Sequence, residues 1–158
     1  MAENTELFLA DNAGRQEYRT KDTRFGMIMH TFIHEDSITY EKMHSQVCRR
    51  LQFLAQKLIT DLEAASKIFV FKVNSRNLLT AEIDRIHCAM RRYGDNTLLY
   101  VRYQDAEHPN GTVEIAKPGL MIGYIDHFTF SREGTSLGAP FQSWLTLCTK
   151  AYELVGSA

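Results

Sequence analysis

Apolar residues recur at Val47, Leu51, Leu54, Leu58, Leu62 and Ala65, in steps of three and four. That rhythm keeps one face of a 3.6-residue helix apolar and predicts a long helix. Ser37 or Thr39 is placed to accept from an unpaired N–H at its start, and Glu41 suits its positive end. Before it, Phe25 to His34 is bulky, β-branched and too short for a helix, which predicts a strand. After it, Lys67 to Val73 carries five apolar residues in seven, as expected of a central, parallel strand covered on both faces. A second helix follows through Leu79, Ile83, Ile86, Met90 and Tyr93, with Thr80 as a cap and Gly94 as its end. Asn96 to Tyr103 is the next strand.

Two successive strand–helix–strand units imply parallel pairing with right-handed crossovers. The expected fold is therefore α/β: a Rossmann-like layered sheet with a mainly parallel core of three strands, a C-terminal hairpin and flanking helices. The hairpin is read from the turn at His108-Pro109-Asn110-Gly111, the segment Thr112 to Ala116, the turn Lys117-Pro118-Gly119, and Leu120 to Phe128. Phe141, Trp144, Leu145, Cys148, Tyr152 and Val155 predict a closing helix whose aromatics cap the sheet, with Gln142, Ser143, Thr146 and Lys150 outward. Residues 1–24 read as an N-terminal arm or linker, with Leu7 to Ala10 as a docked edge strand in the alternative. Residues 25–156 read as a single α/β domain.

The 158 residues are 44% hydrophobic and 23% charged, which excludes disorder and coiled coil and suits a chain able to bury a core. Eighteen basic against nineteen acidic residues leave no field to gather nucleic acid or anionic lipid. Cys48, Cys88 and Cys148 have no paired spacing, so neither a disulfide framework nor a zinc site is read from them. With an acidic opening and no apolar run of membrane length, the expectation is a cytoplasmic protein without membrane association.

In a parallel sheet the ligand crevice lies beyond the carboxyl ends of the strands. The loops expected there hold His34, Glu35 and Asp36; Asn74, Ser75, Arg76 and Asn77; and Gln104, Asp105, Glu107 and His108. Asn74, Ser75 and Arg76, with Asp105, are the ligand-binding candidates, because hydroxyl, amide and guanidinium at a helix entrance suit a phosphate or carboxylate. The plainer reading is that Ser75 and Asn77 cap a helix and Arg76 is solvated. No Gly-x-Gly-x-x-Gly or Walker sequence is present, and no cofactor is expected. His30 and His34 lie ~13 Å apart on a strand at ~3.3 Å per residue, too far for one metal, so no metal is expected. Either is a candidate base. His44 and Cys48, four apart on the first helix, are the one sequence-local Cys/His couple, with Cys48 the candidate nucleophile. Cys88 and Cys148 read as buried small hydrophobes.

Met29-His30-Thr31-Phe32 through Tyr40, Cys48-Arg49-Arg50-Leu51-Gln52-Phe53, and Lys67-Ile68-Phe69-Val70-Phe71-Lys72 carry a resemblance over residues 25–105. Together they resemble the later part of an uncharacterised bacterial family described as papain-like cysteine peptidases. The resemblance implies an α/β fold, a base role for His30 or His34, and a nucleophilic Cys in a glycine-containing turn near the N-terminus. No Cys precedes Cys48 here.

A complete fold pattern without a complete catalytic set leads to one expectation: a non-enzymatic or degenerate α/β module, part of a larger bacterial polypeptide, binding a small anionic or sugar-like ligand or a protein partner. The rivals are a thiol-dependent hydrolase or transferase, and a homo-oligomer formed through residues 112–128, whose Leu120 to Ile125 is uncharged and apolar on both faces.

Overall fold

The computed structural model describes residues 4–128 and 138–156, so Met1–Glu3 of the expected arm lie outside it. The chain divides into two compact units, Met1–Ile59 and Thr60–Ala158. The boundary falls within a helix, at 59/60, where the sequence suggested a division at 24/25.

The first unit holds strands β1 (Thr5–Asn12), β2 (Arg15–Asp22) and β3 (Ile28–His34), then a single 3-10 turn, Glu35–Ser37, and most of helix α1 (Tyr40–Ala64). The three strands form an antiparallel sheet in the order β1-β2-β3. The stretch expected as an arm is thus a hairpin. Asn12 pairs with Arg15 across a two-residue turn, with Ala13 at φ +54° and Gly14 at φ +82°. Positive φ at both positions matches the twist of the flanking strands. Leu7 and Tyr18 meet Met43 and Val47 of α1 in a small apolar core.

β3 was expected in the parallel core and instead pairs antiparallel with β2. The cause is local. A five-residue connection returns the chain directly, and the Asp22 carboxylate accepts from Arg24 N and Phe25 N while Asp22 N donates to Met27 O. The pairing is bulged: Glu17 and Arg19 are two positions apart, whereas their partners His34 and His30 are four positions apart. Phe32 sits in this bulge at φ +59°, a conformation rare for an aromatic residue.

The second unit contains the end of α1, β4 (Ile68–Lys72), α2 (Thr80–Arg91), β5 (Thr97–Tyr103), β6 (Val113–Lys117), β7 (Leu120–Ile125) and α3 (Gly138–Gly156). Its sheet has the order β4-β5-β7-β6, with β4, β5 and β7 parallel and β6 antiparallel to β7. The protein is therefore mixed α/β with two sheets, and the third parallel strand is β7 rather than β3. The expected C-terminal hairpin is present as β6–β7. Alternation along the strands divides the core in two. Leu98, Tyr100, Ile122 and Tyr124 pack with Ile83 of α2, while Leu99, Val101, Met121 and Ile125 pack with Leu147 and Ala151 of α3. Gly123 makes room for α3, because a Cβ there would stand 2.5 Å from Leu147 Cδ2.

Several expectations about burial are corrected. β4, expected to be central and covered on both faces, is an edge strand with Val70 and Phe71 exposed, and Leu54 and Leu58 of the α1 stripe are exposed as well. Helix α3 turns Leu147 and Ala151 to the sheet, with Trp144 and Leu154 partly buried beside them. Phe141, Leu145, Cys148, Tyr152 and Val155, expected with Trp144 on the covered face, are exposed. Cys88 is exposed as well. Leu120 to Ile125, the suggested oligomer edge, is buried throughout as an internal strand between β5 and β6, which leaves β6 as the outer strand on that side.

Candidate functional site

The loops beyond the carboxyl ends of β5 and β7 gather the densest polar cluster of the second unit. Asp105 follows β5 and folds its loop back, accepting from Glu107 N and His108 N, and from His108 Nδ1 at 2.7 Å. These bonds, that of the His108 side chain first, hold the Asp105 carboxyl below its ordinary range although partial burial opposes them. The His108 ring lies flat on Tyr124, with centroids 4.2 Å apart and planes 5° apart. The Tyr124 hydroxyl donates to Glu114 Oε1 at 2.8 Å, and Glu114 Oε2 lies 3.7 Å from His108 Nε2. Burial first, then the bond to Glu114, pushes the Tyr124 phenol up to about 12. It stays a donor at neutral pH and is not a nucleophile. Arg102 sits 5.9 Å from the Tyr124 ring centre. Asn110 links the neighbouring turn, accepting from Asp126 N and donating to Ser143 Oγ. Four acidic residues, Asp105, Glu107, Glu114 and Asp126, against the one guanidinium of Arg102 give an acidic crest.

The other ligand-binding candidates lie in the loop after β4. Asn74, Ser75 and Arg76 are exposed after β4. The Arg76 guanidinium makes a bidentate pair with Glu82, at 2.6 and 2.7 Å, and Glu82 also accepts from Leu79 N at the start of α2. Arg76 holds the Glu82 carboxyl down to about 2. The fork that suited an incoming phosphate is already filled by the helix's own first turn. Leu79 rather than Thr80 occupies the cap position.

In the first unit, His30 has a partner the sequence did not reveal. Glu17 of β2 is fully buried, and its Oε2 lies 3.0 Å from His30 Nδ1. Asn12 Nδ2 donates to the same oxygen, and Phe32 N donates to Oε1 at 2.8 Å. Burial by itself raises the Glu17 pKa, but the bonds from Phe32 and His30, with the charges of His30 and Arg19, outweigh it and hold the carboxyl below its ordinary value. The Phe32 ring stacks on His30 at 5.6 Å. A carboxylate at Nδ1 fixes the neutral imidazole with its lone pair on Nε2, the tautomer a base needs.

His34 ends β3 and lines a small cleft of about 210 Å³ with Arg15, Gln16, Glu35 and Asp36, where Arg15 already pairs with Asp36 at 2.9 Å. Cys48 Sγ lies 3.8 and 3.9 Å from the two nitrogens of His44, the couple that the spacing predicted. That ring stacks on Tyr40. Among the described residues no hydrogen bond joins Cys48 to His30 or His34, and no group of three His, Cys, Asp or Glu is placed to hold a metal. Within the first unit, His30 is thus held by Glu17 and Cys48 lies against His44.

Glu17 was missed because a lone Glu in Arg-Gln-Glu-Tyr-Arg reads as solvated surface; only its partners from β3 make it special. Comparison with family models, curated proteins and solved structures finds no match.

Proposed function

We propose that this chain is a non-enzymatic α/β module that works by binding a protein partner. The carrying observation is the outer face of α3, where Phe141 (62% exposed), Leu145, Tyr152 (75% exposed) and Val155 remain uncovered. Contiguous apolar surface of this kind on a folded protein marks a contact site. The small-ligand alternative has less support: Arg76 and Arg15 are closed by Glu82 and Asp36, and the crest beyond β5 is acidic and internally bonded. Carbene footprinting in cell extract and in dilute pure protein tests the reading. Protection of Phe141 and Tyr152 in extract relative to pure protein is expected, and equal labelling in both overturns it.

A second reading, the thiol-dependent hydrolase or transferase that the peptidase resemblance implies, is favoured by the Glu17–His30 pair. It requires selective, pH-dependent alkylation of Cys48, whose sulfur lies 3.8 Å from His44 Nε2, that is lost in His44→Ala. Slow alkylation of all three thiols alike removes it.

Three free thiols support a cytoplasmic, reducing setting. Among the described residues no helix is long and apolar enough to cross a membrane. A Rossmann-like kinship of the second unit is supported by its β4–α2–β5 unit and by β7 extending the parallel row.

A further inference from the structure

The uncovered residues of α3 follow a strict rhythm. Phe141, Leu145, Cys148, Tyr152 and Val155 are separated by four, three, four and three residues, and all five are exposed. This is the 3.5-residue repeat of a helix that pairs with another helix, carried for two heptads. The inner stripe of Trp144, Leu147, Ala151 and Leu154 has the same rhythm and is used against the sheet. Helix α3 therefore has two apolar seams, and among the described residues of the second unit the outer one is left exposed.

We propose that the outer seam pairs with the same seam of a second copy of this chain, with the two α3 helices antiparallel about a two-fold axis at Cys148. The inference rests on the reading of α3 as an interaction surface and names its occupant. Three observations select a second copy. First, the seam is uncharged, so it offers nothing to an acidic or basic partner and nothing that repels itself. The nearby Lys150 ammonium is engaged by Gly111 O at 2.8 Å.

Second, the seam is nearly symmetric about Cys148, with offsets of −7, −3, +4 and +7 residues. Antiparallel pairing sets Phe141 against Val155 of the second copy, Leu145 against its Tyr152, and Cys148 against Cys148, a large side chain facing a smaller one in each outer layer. Parallel pairing would stack Phe on Phe and Tyr on Tyr and would align the helix dipoles. An isologous contact of this kind closes at two copies.

Third, the area suffices. Aromatic side chains offer ~150–250 Å² each, so the exposed fractions of the seam amount to about 400 Å² per copy. A groove of about 340 Å³ runs along the seam between α3 and β4, lined by Ile68, Val70, Leu99, Cys148, Ala151 and Tyr152, with Val70 46% exposed and with Lys67, paired to Asp61 at 2.8 Å, as its one charged wall residue. Covering seam and groove together buries on the order of 1,000 Å² in the dimer, the lower bound of a specific interface. Partial burial in that groove already pushes the Cys148 thiol up.

Sedimentation velocity from low to high micromolar concentration, combined with copper-phenanthroline oxidation, tests the pairing. In the Cys48→Ser, Cys88→Ser background, two Cys148 thiols give up two protons and two electrons to the copper oxidant and form a disulfide-linked dimer. The same dimer is expected not to form in Cys148→Ser. Tyr152→Glu is expected to weaken association by more than about 30-fold, as loss of an aromatic anchor does. Because Tyr152 is exposed in the single chain, circular dichroism and Trp144 fluorescence should stay unchanged. A protein that remains monomeric at the highest concentration, a dimer indifferent to Tyr152→Glu, or cross-linking that needs Cys88 overturns the pairing. If α3 is protected in extract while the pure protein is monomeric, this inference fails and the broader reading stands. Labelling of α3 in both settings removes that reading itself.

Discussion

The two units bury different things. In the second, β5 carries Leu98, Leu99, Tyr100 and Val101 at 1% exposure or less, and helices bring Ile83, Leu147 and Ala151 onto the two faces. In the first, four apolar residues form the core, and the most buried side chain is the carboxylate of Glu17, held by groups from β1, β2 and β3. The second unit rests on the area it removes from water, which tolerates inexact geometry. The first depends on a polar group whose burial is tolerable only while each of its bonds is made. The difference can be probed separately in one chain, because Trp144 is its only tryptophan and packs in the second unit.

The largest effect is expected from Leu99→Ala. Emptying a fully buried leucine site costs about 2–5 kcal/mol, so the Trp144 fluorescence midpoint in urea should drop sharply. Amide exchange of β1 to β3 should change far less, and an equal loss there would show the units unfolding together. Next comes Glu17→Gln, close to neutral in volume but without the charge that receives His30 and Arg19. Amides of β2 and β3, Phe32 N first among them, should lose exchange protection while the Trp144 midpoint stays in place. Retained protection would mean that shape, not charge, holds the bulge.

Acid should separate the units in the opposite order. His87 of α2 is buried, and its pKa is lowered by burial first and then by Lys117 and Arg91. A histidine depressed in the folded state gives its full stability above its unfolded value near ~6.5 and loses it as pH falls from there toward the folded value. Glu17 is also depressed, but from an unfolded value near ~4.3, so its contribution is lost only below that. The second unit should therefore begin to weaken as pH falls below ~6.5, before Glu17 titrates in the first. His87→Gln should abolish that early loss; an unchanged acid profile of Trp144 in this variant would exclude His87 as its cause. The smallest change expected is a gain. Ala13→Asn relieves a positive φ at the β1–β2 turn and should raise protection of that hairpin by about 0.5–1 kcal/mol.

Much of the second unit is legible along the chain. β4 and β5 are runs of apolar residues bounded by charge or turn residues, and α2 carries its own stripe, although it ends at Arg91 with Arg92 as its cap, short of the Gly94 expected to end it. The hairpin follows from Pro118-Gly119. Asp105 and His108, three apart in one loop, were both visible as loop residues, whereas Glu114 and Tyr124 joined them only through the β6–β7 register. The first unit hid better. β2 reads Arg-Gln-Glu-Tyr-Arg-Thr-Lys-Asp, which periodicity assigns to solvent, yet Glu17, Tyr18 and Thr20 are buried because β1, β3 and α1 close over them.

Helix α3 shows where the division lies. Its sequence determined that it would be a helix and that it would be apolar on more than one side, since propensity and spacing act within a few residues. Which seam met the sheet was decided by Gly123, whose missing side chain admits Leu147, and that is a contact between elements far apart in the chain. The same holds for Glu17 and His30. Local rhythm fixes what a segment becomes, while the identity of its buried face depends on the shape and charge of surfaces that exist only once the chain has folded.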